Sequence, residues 1–568
     1  MRQADIHRAD RSGPGPGQGH GAETEVHVAG QLVDTDVLIV GGGPVGLSLA
    51  VELGLRGIAT ILVEKNHRTG NQPRAKMTNI RTMQHFRRWG ISEALRLASP
   101  LRPDYPTDIV FKTRLFGKTL TVIENAYEGA KRRDPRFPEP AQWVPQYTVE
   151  AVLKERASAS PSVALKFDTE LIDFKESDSR VSARLRSSIT GSESVIRAKY
   201  LVGADGARSA VRNLIGSQLE GERAFGHHYN VILRIPELTT DPPHPRAIFY
   251  WLLNPDCPAG LARLGDDKWA IAFTLPPGNN DLDDTAIAKR VAAAVGKPID
   301  FEILTRDAWG AHRLIADKYS NGRVFLAGDA CHLLPPSGGF GMNLGIADSV
   351  DLGWKLAATL DGWGGTSLLT TYQTERKPVH QRTIGEAVAN HSVLSEHLLK
   401  ADLDDDSATG DALRAAVVEE ILASKSRQYK TVGIVLGSRY SHSPIIVDDG
   451  SHPPIEDCSD YVPSACPGSL TPHAWLQDGS SLYDHLGQGF TLLLISDQGA
   501  SAANSLVTAA HACRLPLKSL DLRREGLCDL FAASLILVRP DQHVAWRKSS
   551  AAFDAEEVVA KVRGAYLA

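Results

Sequence analysis

Three times along this chain an apolar run ends in a small polar turn and a differently patterned segment follows. In TDVLIVGGGPVGLSLAVELGLRGIATILVEK, Thr35 to Lys65, continuous apolar positions predict a buried strand and glycines break it. Apolar residues at helical spacing then predict a helix, and a second strand closes on Glu64. In YLVGADGARSAVR, Tyr200 to Arg212, an apolar strand runs into Asp205-Gly206 and a basic helix start. In GRVFLAGDACHLLPPSGGFGMNLGIADSVDLGWKLA, Gly322 to Ala357, a strand ends on Asp329, a Gly/Pro loop follows, and a helix starts near Met342.

The intervening stretches carry other periods. QYTVEAVLKERA, from Gln146, predicts an amphipathic helix, and ALKFDTELIDF and RVSARLR alternate as strands do. After Arg212 the candidates YNVILRIPEL, RAIFYWLLN and KWAIAFTLP are separated by Pro, Gly and Asp turns and predict a β-sheet inserted between the second and third motifs. Neighbouring strand residues point to opposite faces, so one of Tyr250 and Trp251 is expected to face substrate across that sheet. From Pro103 to Pro145 the chain is rich in Pro and mixed charge, and KRRDPRFPEP predicts an exposed excursion. The expected division is a disordered Gly/Pro-rich tail over 1–33, a nucleotide domain over 34–212 and 311–398, and a β-rich substrate domain over 213–310. A helical connector over 399–450 and a small α/β module over 451–568 complete it.

The chemistry of the turns is that of nucleotide binding. Gly41, Gly43 and Gly46 fill a Gly-x-Gly-x-x-Gly pattern: one glycine makes the turn, one admits a pyrophosphate, one packs helix on strand. Pro44 and Val45 lie within that turn, and Glu64, followed by Lys65, stands where a carboxylate would bind a ribose hydroxyl. In the third motif Gly338, Gly339 and Gly341 would let the backbone approach a large electron-accepting ligand, with the helix start donating N–H groups.

These motifs, in this order, resemble the single-component flavin-dependent aromatic hydroxylases of the para-hydroxybenzoate hydroxylase type. The likeness is strong from about Asp36 to Ser392, and Tyr372, Glu375, Arg376 and Pro378 repeat that family's closing segment. PRAKMTNIRTMQHFRRWG, Pro73 to Gly90, and the long C-terminal extension point to the phenol, chlorophenol and polyketide-tailoring branch. The resemblance implies an α/β fold: a Rossmann-like FAD-binding domain, an inserted β-sheet substrate domain and a thioredoxin-like C-terminal domain. It also implies FAD as cofactor and NAD(P)H as transient cosubstrate, with O₂ and a small phenolic or polyketide-like substrate hydroxylated through a flavin hydroperoxide. Gln146 and Asp329 would hold the ribityl chain. The amides around Gly341, Met342 and Asn343, with Pro336 and Gly339, would border the ring, and Asp205 would serve the pyrophosphate region or NAD(P)H docking. Arg74 suits bidentate phosphate contact.

One position departs from the pattern. Lys76 stands where the chlorophenol and hydroxybiphenyl enzymes place a histidine, so imidazole assistance to a phenolate is in doubt; Lys76 could stabilise a phenolate as a cation or, with a lowered pKa, act as base. Phe340 replaces a glutamine common among relatives, which would make the site more apolar. Oxygen insertion or epoxidation on a polycyclic ketone or quinone would need no base, and a flavoprotein dehydrogenase or reductase is the reading from another class.

Composition removes other classes. A net charge of −5 leaves no basic footprint for nucleic acid. Six cysteines without Cys-x-x-Cys suit a reduced compartment, the cytoplasm, and deny dithiol chemistry to the C-terminal module. That module is expected to serve structure or contact between two copies of the chain, a homodimer. No apolar run reaches membrane-span length, His227-His228 lacks a metal-type spacing partner, and no Gly-x-Ser-x-Gly elbow offers hydrolase chemistry.

Overall fold

The computed structural model describes residues 33–67, 75–274, 282–391, 398–548 and 552–565; the expected tail up to residue 32 and Arg74 lie outside them. The run Val33–Val40 is the centre of an eight-stranded sheet, flanked by Glu193–Gly203 on one side and Thr60–Val63 on the other, with Val324–Leu326 beyond Glu193–Gly203. These four strands are parallel, and Val37, Leu38 and Ile39 are fully buried, so the strand is apolar on both faces. The helices Pro44–Leu55, Gln146–Ser158 and Gly341–Leu360 cover it.

A second eight-stranded sheet takes its centre from Leu219–Arg234, Glu302–Ala316, Lys268–Thr274, Ala259–Gly265 and Phe249–Leu252. It recruits strands from outside the inserted segment. Ile109–Lys112 and Thr119–Ile123 extend one edge, and His332–Leu333, just past Asp329, closes the other. Alternation sorts its faces: Tyr229, Val231, Leu233, Trp269, Ile271 and Phe273 pack with Ile287 and Val291 of helix Asp284–Val295. Asp283 starts that helix by accepting the Ala286 N–H at 2.7 Å, and Gly296 ends it in a left-handed conformation. With one face sealed by the helix, the other is turned towards the nucleotide domain.

The expected exposed excursion is only partly so. Lys131, Arg132 and Arg133 are exposed, whereas Asp134, Phe137, Pro138 and Glu139 are buried, because Phe137 joins an apolar cluster with Tyr127, Tyr429 and Leu470. The helix Ala408–Tyr429 packs on Thr119–Ile123, and the C-terminal strands Leu517–Asp521, Phe490–Leu494, Leu535–Val538 and Val544–Arg547 pair in that order. The first two are parallel and the rest antiparallel, the arrangement of a thioredoxin-like sheet. Among the described residues no helix is long and apolar enough to cross a membrane.

Candidate active site

Strand register converges the three motifs. Val40 pairs with both Gly203 and Val63, and Gly203 with Leu326, so four strands end level and their following loops share one rim. Ligands of open parallel sheets bind at such carboxyl ends. The loops touch closely enough to require glycine: a Cβ on Gly41, at φ +114°, would lie 2.3 Å from the Ala204 carbonyl oxygen and 2.9 Å from Asp205 N. A Cβ on Gly328 would lie 2.7 Å from Val45 Cγ2. Arg212 links the second motif to the third by donating to the Ala330 carbonyl at 3.1 Å.

The rim suits a dinucleotide. The helix Pro44–Leu55 opens on Gly43 with proline at its first turn, no side-chain cap and no acidic residue there, and Gly341–Leu360 likewise starts with neither. Uncapped N–H groups and the positive end of the helix dipole favour a pyrophosphate at the first and an electron-rich carbonyl at the second. Glu64 is buried; Oε2 accepts the Gly42 N–H at 2.7 Å and Oε1 accepts from Asn66, so the carboxylate is fixed beside the glycine turn, with Lys65 exposed next to it. Asp205 also shapes the second motif's loop. It accepts from Ser209 Oγ at 2.5 Å and from the N–H groups of Ala210 and Val211 at 2.7 and 3.1 Å, holding its own loop in shape.

Around the third loop the contacts are equally specific. Asn343 Nδ2 donates to the carbonyls of Met77 and Gly339, and its Oδ1 accepts from Asn79 N at 2.9 Å, which pins Met77 beside Gly339. Met342 and Gly341 remain half-buried and Pro336 exposed, on the loop that follows half-buried Asp329. Gln146 Oε1 accepts from Ala75 N at 3.1 Å, so the head of its helix abuts the segment carrying Lys76. Lys76 is half-buried, and loss of hydration lowers its pKa to about 8.

The open face of the second sheet is the roof. Trp251, Gly260, Ala272, Asn230 and Asp307 form one cross-strand row and so share that face. Tyr250 does not belong to the site, a correction to its assignment as a catalytic candidate. It is fully buried on the opposite, helix-covered face, and its hydroxyl donates to the Pro245 carbonyl at 2.9 Å and accepts the Ala247 N–H at 2.9 Å. Trp251 lies on the face opposite Tyr250, with its Nε1 donating to Tyr429 Oη at 2.5 Å and Lys425 Nζ 5.6 Å from its ring. Phe340 also departs from expectation: it is buried against Ala387, Ile434 and Cys458, so its ring fills the core behind the loop and not the site.

Two further groups lie on the roof face: Trp143, which sequence reasoning passed over, and His228, which it weighed only as a metal ligand. Trp143, beside Ala262, Ala270 and Ile232, donates from Nε1 to the Arg263 carbonyl at 2.7 Å and ties the roof to Met77 through the short pairing Met77–Trp143. His228 stacks on Trp309 with centroids 4.4 Å apart and lies 3.3 Å, Nε2 to Nε2, from His391. Its partner is 163 residues away, so no spacing rule could find it.

Cys331, His332 and Asp348 bring donor atoms within 4.8 Å of one another. Asp348 is already engaged by Gly328 N, His332, His380 and Arg376, at 2.8 to 3.1 Å. Burial opposes its ionisation, but His380 and Arg376 outweigh that and hold its carboxyl well below the usual range. It is a buried hub fixing the turn before Asp329, and His332 is one of its spokes.

Residues 34–387 match the FAD binding domain family, and residues 464–565 match the C-terminal region of aromatic-ring hydroxylases. The chain belongs to the FAD-dependent aromatic-ring hydroxylases, which are monooxygenases. Phenol 2-monooxygenase of Pseudomonas sp. (strain EST1001) is 30% identical, over 92% of this chain and 91% of its own. Aklavinone 12-hydroxylase DnrF of Streptomyces peucetius is 33% identical, over 82% of this chain and 92% of its own. The structure of chromopyrrolic acid-soaked RebC with bound 7-carboxy-K252c aligns with a TM-score of 0.86 at 34% identity, covering 94% of this chain and 100% of that one.

Proposed function

We propose that this enzyme hydroxylates a flat, multi-ring phenolic substrate of polyketide type, with NAD(P)H as reductant. The observation that carries the substrate reading is the row Trp251–Gly260–Ala272–Asn230. From Trp251 to Asn230 the row crosses three strand spacings, roughly 14 Å at about 4.8 Å each, and the two residues between have at most a methyl group. The Phe249 ring lies over Gly260, 2.6 Å from where a Cβ there would be, so the bay we infer is the stretch over Ala272 and Asn230, between the Phe249–Trp251 rings and the Trp309–His228 stack, where a flat ring system could stack. DnrF, by its name an aklavinone hydroxylase, supports such a reading.

Bound FAD would supply two-electron reduction and oxygen activation. The chain's own residues then have three tasks. Glu64, Asp329 and Gln146 would hold the cofactor's ribose and ribityl hydroxyls, and the uncapped helix starts at Gly43 and Gly341 would favour its pyrophosphate and a ring carbonyl. Donors at the Gly341 start favour negative charge on the reduced ring. The roof and Trp143 would exclude water from the bay, and Lys76, next to Met77, provides a cationic side chain.

This reading places a cytoplasmic enzyme on a small aromatic substrate; sedimentation in solution decides between monomer and homodimer. The test is consumption of NADH or NADPH against phenols, naphthoquinones and anthracycline-like aglycones, with product mass measured. Gain of one oxygen atom on a multi-ring phenol supports the proposal. Turnover confined to single-ring phenols removes the substrate class, and ketone-to-ester products favour Baeyer-Villiger insertion.

A further inference from the structure

His228 comes from the roof sheet, His391 from the end of helix Thr371–His391 and Ser337 from the loop between Asp329 and Gly341. They form a chain: His228 Nε2 to His391 Nε2 is 3.3 Å, and His391 Nδ1 to Ser337 Oγ is 3.4 Å. Three separate elements meet here, one from the substrate side and one from the proposed flavin loop. The outer nitrogen is His228 Nδ1, on a half-buried ring clamped on Trp309 whose Nε2 makes the contact to His391.

Charge around the chain argues for an uncharged ligand. Lys425, from helix Ala408–Tyr429, is buried, with its Nζ donating to the Asn390 carbonyl at 3.2 Å and lying 5.6 Å from the Trp251 ring, so this cation is already engaged. Asp307 shares the roof face with Asn230, two residues from the His228–Trp309 pair, and would repel an anion. Burial, with His391 beside it, lowers His228 to about 4, so the imidazole is neutral at physiological pH. One neutral ring must donate to the other, and the chain can run in either direction by a tautomer change. Its terminal nitrogen therefore accepts from a hydroxyl or donates to an oxygen without gaining charge.

We propose that His228, positioned by Trp309 and by the His391–Ser337 chain, is the hydrogen-bonding terminus that seats an uncharged phenolic hydroxyl of the substrate in the bay. This rests on the hydroxylase reading and adds the polar group by which the substrate is oriented.

The test uses the FAD-loaded enzyme with 2-hydroxyanthraquinone and its methyl ether as probes, binding measured by equilibrium dialysis and hydroxylation by product mass. Wild type is expected to bind the free hydroxyl about fivefold more tightly than the ether, the size of one net hydrogen bond. His228→Phe, which keeps a ring for Trp309 to stack on, should bring that ratio to about one, and His228→Gln should retain part of it. An unchanged ratio in His228→Phe, or equal loss on both probes with FAD retained, overturns the inference while leaving the hydroxylase reading intact. If His228→Phe loses FAD or fails to fold, His391→Phe is measured the same way, and an unchanged ratio there overturns the chain. Wild type that binds both probes equally overturns it outright, and wild type that never adds oxygen to any phenol overturns the hydroxylase reading as well.

Discussion

Arg539 and Glu375, 164 residues apart, are joined by a bidentate ion pair, with Nη1 to Oε1 at 2.5 Å and Nη2 to Oε2 at 2.9 Å, and both side chains are fully buried. Glu375 lies in the closing helix of the nucleotide domain and Arg539 in the C-terminal module, so the pair bolts the two together. Lys355 donates to the same carboxylate at 2.5 Å, and Arg539 also reaches Asp541 at 2.7 Å. Removing one partner leaves the others as buried, uncompensated charge. Arg539→Met is therefore expected to destabilise the enzyme by about 3–5 kcal/mol, measured by denaturant unfolding. A change within experimental error would mean that the module is merely appended.

Acid stability should depend on Glu52. Burial alone would raise its pKa, but Arg88 and Arg56 outweigh burial and lower it from 4.5 to about 2. A lowered carboxylate stabilises the fold above its unfolded pKa of 4.5, and that contribution is lost as pH falls towards 2. The difference corresponds to about 3 kcal/mol. Glu375 acts in the same direction, and Asp351, raised by burial, in the opposite one, costing stability as pH rises. Comparing wild type with Glu52→Gln isolates the Glu52 share: the variant is expected to be less stable at neutral pH and to lose less on acidification. Parallel acid profiles would contradict the assignment.

Much of this site was legible because its parts are local. A buried parallel strand must be apolar on both faces, and the turn after it must be glycine where another backbone lies 2.3 Å from a would-be Cβ, so Gly41 and its companions show in the sequence. Choosing between Tyr250 and Trp251 was beyond local pattern, since both are aromatic and only the helix Asp284–Val295 decides which face is core. Phe340 misled for a similar reason: its loop position is local, but the Ile434 and Cys458 that bury it come from far along the chain. The strands Ile109–Lys112 and Thr119–Ile123 sit in a Pro-rich, charged stretch whose composition hides them, and they exist because Phe249–Leu252 offers an edge to pair with.

Cofactor retention tests Asp329. Asp329→Ala should purify largely colourless, with FAD content measured by absorbance after denaturation. A yellow, fully active variant would contradict its place in the cofactor site.

Lys76 gives a pH signature. With its pKa lowered to about 8, it changes charge near the pH at which activity is assayed. As a cation holding a phenolate it would make kcat/KM fall as pH rises through about 8, and as a base it would make kcat/KM rise. Lys76→Met is expected to remove that inflection. An unchanged profile retires any role for this side chain in ionising the substrate.

Labelled oxygen decides the central claim. With the purified enzyme, FAD, NAD(P)H and ¹⁸O₂, the product of a multi-ring phenol is predicted to carry one labelled oxygen atom on the ring. Release of labelled hydrogen peroxide with no label in any product, across the whole substrate panel, would show that this chain oxidises its cofactor without transferring oxygen, and would contradict the account.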